Sequence, residues 1–405
     1  MKYINAIRSI TAIASISVLT LLSCGKSDQG PAPEETEQPD QEEPKPIQEM
    51  DITAMGTLSV SSENRDGKTS REGSLKLVDN DLSTKFLTYS YSSSFYMQME
   101  FPEAKLIASY SLTSGDDADD RDPENWTISG SADGTEWIDL STMYYEFFPE
   151  RKQLKRYYFK NPKAYKYYRL KVRGNRGSDL FQLTEWRLFQ MPASQHRDSP
   201  VNTVEFVTSG ANTLTFVNKT QNLNPAVKAG LINVFKVNYQ KMADAYNPDA
   251  TKKVVFVIEP GYEGVAAAFG GAVIRYDPDW FQSNPKDIDV ATHELMHVVQ
   301  AYPGVEDSGW VTEGIADYVR FKFGVDNAGA QWSLPDFSPD QSYRDAYRVT
   351  ARFLHWLETH GQAGIVVKLD KSMRSAAYTT ATFWPANTGK TVDQLWADYA
   401  ANPAL

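Results

Sequence analysis

Hydrophobic and polar positions divide this chain into stretches of different period. Ile10 to Leu22 is a mostly apolar run behind the positive Lys2 and Arg8, shorter than the ~20 residues a spanning helix needs. Residues 24–50 contain few apolar positions. From about 51 to 191 the period approaches two, as in Tyr96-Met97-Gln98-Met99-Glu100-Phe101 and Trp126-Thr127-Ile128-Ser129. Asp133-Gly134 is a hairpin signal between Ile128 and Trp137-Ile138, and 166–172 and 185–189 read as later strands. Short β-branched and aromatic runs at regular spacing predict an all-β jelly-roll sandwich. From about 201 to 405 the pattern becomes mixed α/β. Apolar spacing at Val227, Leu231, Val234, Phe235, Tyr239 and Met242 predicts a helix over 225–246. Strands are expected at Val254–Ile258 and Ala272–Tyr276, and helices over 287–301, 311–323, 342–359 and 392–401. The Ala272–Tyr276 strand is expected at the sheet edge, open to an extended peptide.

Composition narrows the chemistry. The chain has 405 residues, a net charge of −11, 41% hydrophobic and 23% charged residues, five histidines and one cysteine. That is globular composition for two or three domains. A single cysteine excludes an intramolecular disulfide framework, Cys-rich zinc modules and iron–sulfur clusters. The acidic balance argues against nucleic acid as a partner, because phosphate binding needs a basic footprint. Part of that acidity is spacer: after Cys24, five prolines are interleaved with eight acidic residues and two lysines as far as residue 50, the composition of an extended tether.

Metal chemistry must therefore come from His, Asp and Glu. The helix over 287–301 carries His293-Glu294-Leu295-Met296-His297. Histidines at i and i+4 share one helix face and reach one ion, while Glu294, about 100° around the helix, is placed to reach a water on it as general base. Of the other histidines, His196 lies in a linker, and His355 and His360 lie on or after a later helix. Glu313, at the start of the next helix, is the better third ligand, and leaves a fourth zinc position open to water. Asp317, one turn on, is placed to orient a ligand histidine. Tyr343 and Tyr347 on the following helix are candidates for the donor to the oxyanion, with Tyr347 favoured.

Three resemblances add to this reading. Leu21-Leu22-Ser23-Cys24 resembles the lipobox of bacterial lipoproteins. It implies a signal peptide over 1–23, lipidation of Cys24 and an outer-membrane lipoprotein facing the cell surface or the periplasm. Asp122-Pro123-Glu124-Asn125-Trp126, Ser129-Gly130-Ser131-Ala132-Asp133-Gly134, Trp137 and Tyr168-Arg169-Leu170 resemble the discoidin-like, galactose-binding-like family. That resemblance implies a carbohydrate or protein-surface ligand. It also makes Asp79, Asp81, Thr84 and Glu185 candidate ligands of a structural Ca²⁺, against a plain Asx-turn. Tyr89, Tyr91, Tyr96, Tyr144, Tyr145 and Phe147 are candidate faces for stacking on sugar. The second half resembles gluzincin metallopeptidases, and more closely the basic secretory protein family, through 214–218, 247–250, the histidine motif, Glu313-Gly314-Ile315-Ala316-Asp317-Tyr318-Val319-Arg320, 347–354 and 389–396.

The expected function is a surface-anchored zinc peptidase, directed by its sandwich domain to glycans or glycoproteins. The expected site has Zn²⁺ on His293, His297 and Glu313, and Glu294 deprotonating the attacking water. A catalytically silent glycan-binding or adhesive lipoprotein is the alternative. A glycosidase would need a carboxylate pair that no feature singles out. If the domains divide the labour, removal of 51–191 should spare cleavage of small peptides.

Overall fold

The computed structural model describes residues 48–405; the expected signal peptide, the lipobox-like run with Cys24 and most of the expected tether lie outside the described residues. No helix among the described residues is long and apolar enough to cross a membrane. The first domain is a sandwich of two antiparallel sheets. One runs in the order Thr57–Val60, Tyr96–Lys105, Tyr165–Asn175, Pro123–Ser131, Ile138–Met143. The other runs Met50–Asp51, Glu185–Gln190, Ile107–Thr113, Leu154–Tyr158, and Phe86–Thr88 pairs separately with Phe181–Leu183. Alternation explains the layers, since Met97, Met99 and Phe101 point inward while Gln98 and Glu100 do not. Trp126, Trp186, Tyr110, Tyr165 and Tyr168 fill the space between the sheets. Trp126 Nε1 donates to the Tyr110 hydroxyl at 2.7 Å and the Tyr168 hydroxyl donates to the Lys105 carbonyl at 2.6 Å, whereas Trp186 Nε1 is buried without a partner.

The second domain is built on a five-stranded mixed sheet in the order Thr203–Ser209, Asn212–Asn218, Lys253–Ile258, Val273–Tyr276, Ala266–Phe269. The middle three strands are parallel, and the crossover between the first two of them carries the helix Pro225–Tyr246. Eight α-helices occur among the described residues, and those of the core lie with one sheet face in a single apolar cluster.

The structure corrects three expectations. Val273–Tyr276 is interior, because the turn Gly270–Ala272 folds the preceding segment back, and Ala266–Phe269 pairs antiparallel outside it. The edge strand is thus a run of three alanines and a phenylalanine, with neither alternation nor β-branching to announce it. The helix expected over 342–359 breaks into a short turn, Tyr343–Asp345, and a helix, Tyr347–Thr359. Short helices at Pro278–Ser283, Ile365–Arg374 and Thr380–Thr388 were not evident from periodicity.

The other sheet face exposes no valine stripe, because the sandwich domain covers it. Val217, Val255, Val257 and Val273 cluster beneath Tyr144 and Tyr145. Around them Lys219 Nζ binds the Tyr145 carbonyl at 3.1 Å, Glu146 at 2.8 Å and Glu259 at 3.0 Å. Arg275 binds the same carbonyl at 2.9 Å and Glu259 at 2.5 Å. Tyr144, Tyr145 and Phe147, considered above as sugar platforms, are therefore part of the seam between domains.

Candidate metal centre and cleft

The helix Val290–Gln300 and the helix Gly309–Phe323 build the site. The first is uncharged around its motif and almost wholly buried. Its start is tied to the end of the second, since the buried Asp289 carboxylate accepts the N–H groups of Val325 at 2.8 Å and Asp326 at 2.6 Å. Its end is set by Ala301, which takes a left-handed φ of 43°. Gly314, beside Glu313, permits the close approach of the helix Tyr347–Thr359: a Cβ there would sit 2.2 Å from the Thr350 methyl.

His293 Nε2 lies 3.2 Å from Glu313 Oε2 and 3.1 Å from His297 Nε2, and His297 Nε2 lies 3.5 Å from the same oxygen. The other ring nitrogens determine what these atoms are. His293 Nδ1–H donates to Asp317 Oδ1 at 2.7 Å, and His297 Nδ1–H donates to Gln300 Oε1 at 2.7 Å. The Gln300 amide is itself oriented, because its Nε2 donates to the Thr312 carbonyl at 2.9 Å. With both Nδ1 atoms used as donors, neutral imidazoles turn two Nε2 lone pairs toward a carboxylate oxygen. Three acceptors facing one another require a positive charge between them, either a proton on a ring nitrogen or a metal ion. Burial alone would lower the His293 pKa, yet the Asp317 and Glu313 hydrogen bonds outweigh it and raise it to about 10. Burial likewise opposes ionisation of Glu313, but the two histidines hold its carboxyl well below the usual range. His293, His297 and Glu313 fit a metal ion, and no other group of three or more His, Cys, Asp or Glu does so among the described residues.

Glu294 is buried, and burial raises its pKa. The Ala268 backbone of the edge strand counters that shift, and Oε2 has no hydrogen-bond partner. Both Glu294 and the edge strand line a cleft of about 1050 Å³ that also reaches Trp280, Arg320, Trp332 and Tyr347.

The two tyrosines separate. Ala346 and Tyr347 take consecutive positive φ angles of 62° and 47°, backbone that L residues rarely adopt. Beyond this break the Tyr347 ring is exposed in the cleft and stacks on His293 at 6.1 Å. Tyr343, before the break, is buried against Trp310 and Trp396, and its hydroxyl donates to Asp393 at 2.9 Å. It does not reach the cleft. His355 packs on Phe321 at 4.9 Å, away from the metal group.

The candidate calcium residues are brought together and share hydrogen bonds, while Glu185 Oε2 is buried without a hydrogen-bond partner. Asp79 accepts from the Thr84 hydroxyl at 2.9 Å and from Lys76 at 3.1 Å, and Asp81 accepts from Ser83 N–H at 2.8 Å. The Asp81 N–H in turn donates to Glu185 Oε1 at 3.2 Å. The Ser83 N–H bond to the Asp81 carboxylate closes an Asx turn. Sequence reasoning missed Gln300, although its place three residues after His297 on the same face could have signalled a ligand-orienting partner.

A β-sandwich ahead of a mixed α/β domain with a His-His-Glu cluster in its cleft defines a two-domain, peptidase-like chain. Residues 199–399 match the family model described as "Peptidase of plants and bacteria", the basic secretory protein family, and residues 57–185 match the F5/8 type C domain. The C-terminal half of the chain thus belongs to that peptidase family, and an F5/8 type C, discoidin-like domain precedes it. Among solved structures, the chain is similar to CpGH89CBM32-5 from Clostridium perfringens, in complex with GalNAc-β-1,3-galactose (15% identity, 34% of this chain and 99% of that one, TM-score 0.31). It is also similar to the family 32 carbohydrate-binding module of NanJ from Clostridium perfringens, in complex with galactose (14%, 35% and 99%, 0.29). A third is the F5/8 type C domain of a Bacteroides fragilis protein (14%, 36% and 99%, 0.31). No match emerged among curated proteins.

Proposed function

We propose that this protein is a zinc-dependent peptidase, anchored at a bacterial outer membrane through Cys24 and directed to glycans or glycoproteins by its sandwich domain. The observation that carries the reading is the convergence of His293 Nε2, His297 Nε2 and Glu313 Oε2 beside a buried Glu294. Two imidazoles and one carboxylate are ligands that zinc takes readily, and the set leaves a coordination position open. A bound zinc ion supplies Lewis acidity to a water and to the scissile carbonyl.

The chain's own residues do the rest. Asp317 and Gln300 hold both histidines in the ligating tautomer. Glu294 takes a proton from the attacking water on its unpartnered oxygen and passes it to the leaving amine. The edge strand Ala266–Phe269, hydrogen-bonded on one side only, offers backbone groups to an extended substrate. Tyr347 is the residue assigned to donate to the oxyanion.

The test is cleavage of an unfolded protein and of a mucin-type glycoprotein by the zinc-loaded chain and by Glu294→Gln. The variant should keep its zinc and lose about 10²–10⁴-fold in rate. Cleavage by Glu294→Gln at the wild-type rate would remove Glu294 as base, and wild-type protein that binds no zinc would overturn the enzyme reading.

A further inference from the structure

We infer that one end of the cleft is a subsite for an aromatic side chain of the peptide substrate, with Trp280 and Trp332 as its walls; the inference deepens the peptidase reading above and rests on it.

The subsite starts from one face of a helix. Glu313, Asp317 and Arg320 stand at i, i+4 and i+7 on Gly309–Phe323 and share one side of it. At 1.5 Å per residue, Arg320 lies ~10 Å along the axis from the proposed metal ligand. Its guanidinium is almost buried and pairs with Asp287 Oδ1. Asp287 Oδ2 accepts from Trp280 Nε1 at 3.0 Å, and the guanidinium carbon lies 4.5 Å from the centre of the Trp332 ring. One ion pair thus fixes both indoles, and both line the cleft. The loop that carries Trp332 is tied to the same helix. Arg320 Nε donates to Asn327 Oδ1 at 3.2 Å, and Asn327 Nδ2 donates to the Arg320 carbonyl at 2.8 Å. The Trp332 N–H donates to the Asn327 carbonyl at 2.9 Å, and Gln331 takes a positive φ of 54° to turn the chain into it.

Two features select the guest. Trp280 packs against the apolar core, whereas Trp332 does not join that cluster and is half-buried over a guanidinium. An indole left with open surface in a cleft gains by covering it with another apolar face. The charged groups between the walls are committed to protein partners: both Asp287 oxygens to Arg320 and Trp280, and Arg320 Nε to Asn327. A sugar ring needs free donors and acceptors for its hydroxyls as well as a stacking face, while a phenylalanine side chain needs the face alone. An extended peptide advances about 3.3 Å per residue, so ~10 Å from Glu313 corresponds to two or three residues from the scissile bond.

The experiment uses the full chain, loaded with zinc, as wild type, Trp332→Ala, Trp332→Leu and Trp332→Phe. The probes are short peptides of Gly, Ser and Ala that carry a single Phe at each position in turn, or none. Wild type should cleave the best Phe peptide with a kcat/KM about 100-fold above the Phe-free one, the maximum falling two or three residues from the cut bond. Trp332→Ala should lower that preference about tenfold, and Trp332→Phe, which keeps a ring, should retain most of it. Trp332→Leu reads the same loss should the alanine variant not fold. Calorimetry with zinc-loaded Glu294→Gln should rank the peptides in the same order without turnover. Equal cleavage of all peptides, a preference confined to the residues flanking the cut, or one that survives loss of the Trp332 ring would overturn the inference and leave the peptidase reading intact. So would a preference for a GalNAc-bearing threonine peptide over every Phe peptide. Binding of Phe peptides that weakens in Trp332→Ala, in a protein whose wild type cleaves nothing, would keep the subsite and sink the peptidase reading instead.

Discussion

Each domain gathers oxygen-rich side chains at one place. In the sandwich, Asp79 is met by the Thr84 hydroxyl and the Lys76 ammonium, Asp81 by Ser83, and Glu185 by the Asp81 amide and by Arg187 at 3.6 Å. In the second domain, the donors Nδ1 of His293 and Nδ1 of His297 are drawn outward by Asp317 and Gln300, leaving acceptors to face acceptors across 3.1–3.5 Å. The number of carboxylates does not separate the two clusters; the direction of the donors does. A cluster that supplies most of its own donors leaves little call for a cation, and one whose neighbours remove the donors holds a proton or a metal ion between its acceptors.

His293→Ala breaks the second cluster outright. Bound zinc should fall from one per chain to none, with peptide cleavage lost, and elemental analysis beside an activity assay decides it. Chelation of the wild type should lower its stability by about 4 kcal/mol when free zinc stood at 1,000 times its Kd, whereas millimolar calcium should leave the melting temperature unchanged. A calcium-dependent rise in the melting temperature would erase the contrast between the clusters.

The next effects come from residues around the ions rather than on them. Tyr347→Phe should lower kcat by about 10²-fold if its hydroxyl meets the oxyanion, and Tyr343→Phe should leave kcat unchanged, because that hydroxyl is committed to Asp393. Equal losses in both variants would withdraw the assignment. Asp317→Ala should weaken zinc binding by about 10–100-fold in a competition titration, and Asp317→Asn by less, since an amide oxygen still accepts from Nδ1.

What could be read from the chain follows from the range of each signal. The i, i+4 histidines and the acid one turn after Glu313 are spaced by helix geometry alone, so their helices and their facing sides were legible. Tyr343 and Tyr347 share that spacing, and a regular helix would have put both on one face. The break at Ala346 separates them, and nothing local in Asp345-Ala346-Tyr347 announces positive φ. The edge strand was misplaced for a related reason: three alanines carry no period, and their strand state comes from pairing with Val273–Tyr276. The aromatic run at 144–147 looked like a sugar platform because its actual partner, the valine face, is over seventy residues away in sequence. That seam also alters the expected division of labour, since removing 51–191 would bare four valines and leave Lys219 and Arg275 without the Tyr145 carbonyl.

The smallest predicted effect tests the sandwich cluster from within. Burial raises the Glu185 pKa from 4.5 to about 7, and a hydrogen bond with Asp79 adds to the shift, against the opposing charge of Arg187. The folded chain therefore holds a proton here that the unfolded chain has already released. Between pH 4.5 and about 7 the native state binds more protons, so stability falls as pH rises through that window and levels off above it. Glu185→Gln carries no such proton and should flatten this part of the curve. At pH 8 it should be more stable than wild type by about 1 kcal/mol, a few degrees in the melting temperature, with the difference vanishing near pH 4.5. A cation bound beside Glu185 would reverse the sign, because it would favour the carboxylate and make glutamine the destabilising residue at high pH. Melting curves of the two proteins from pH 4.5 to 8 therefore decide whether the donors in this loop suffice or whether it resembles the histidine cluster after all.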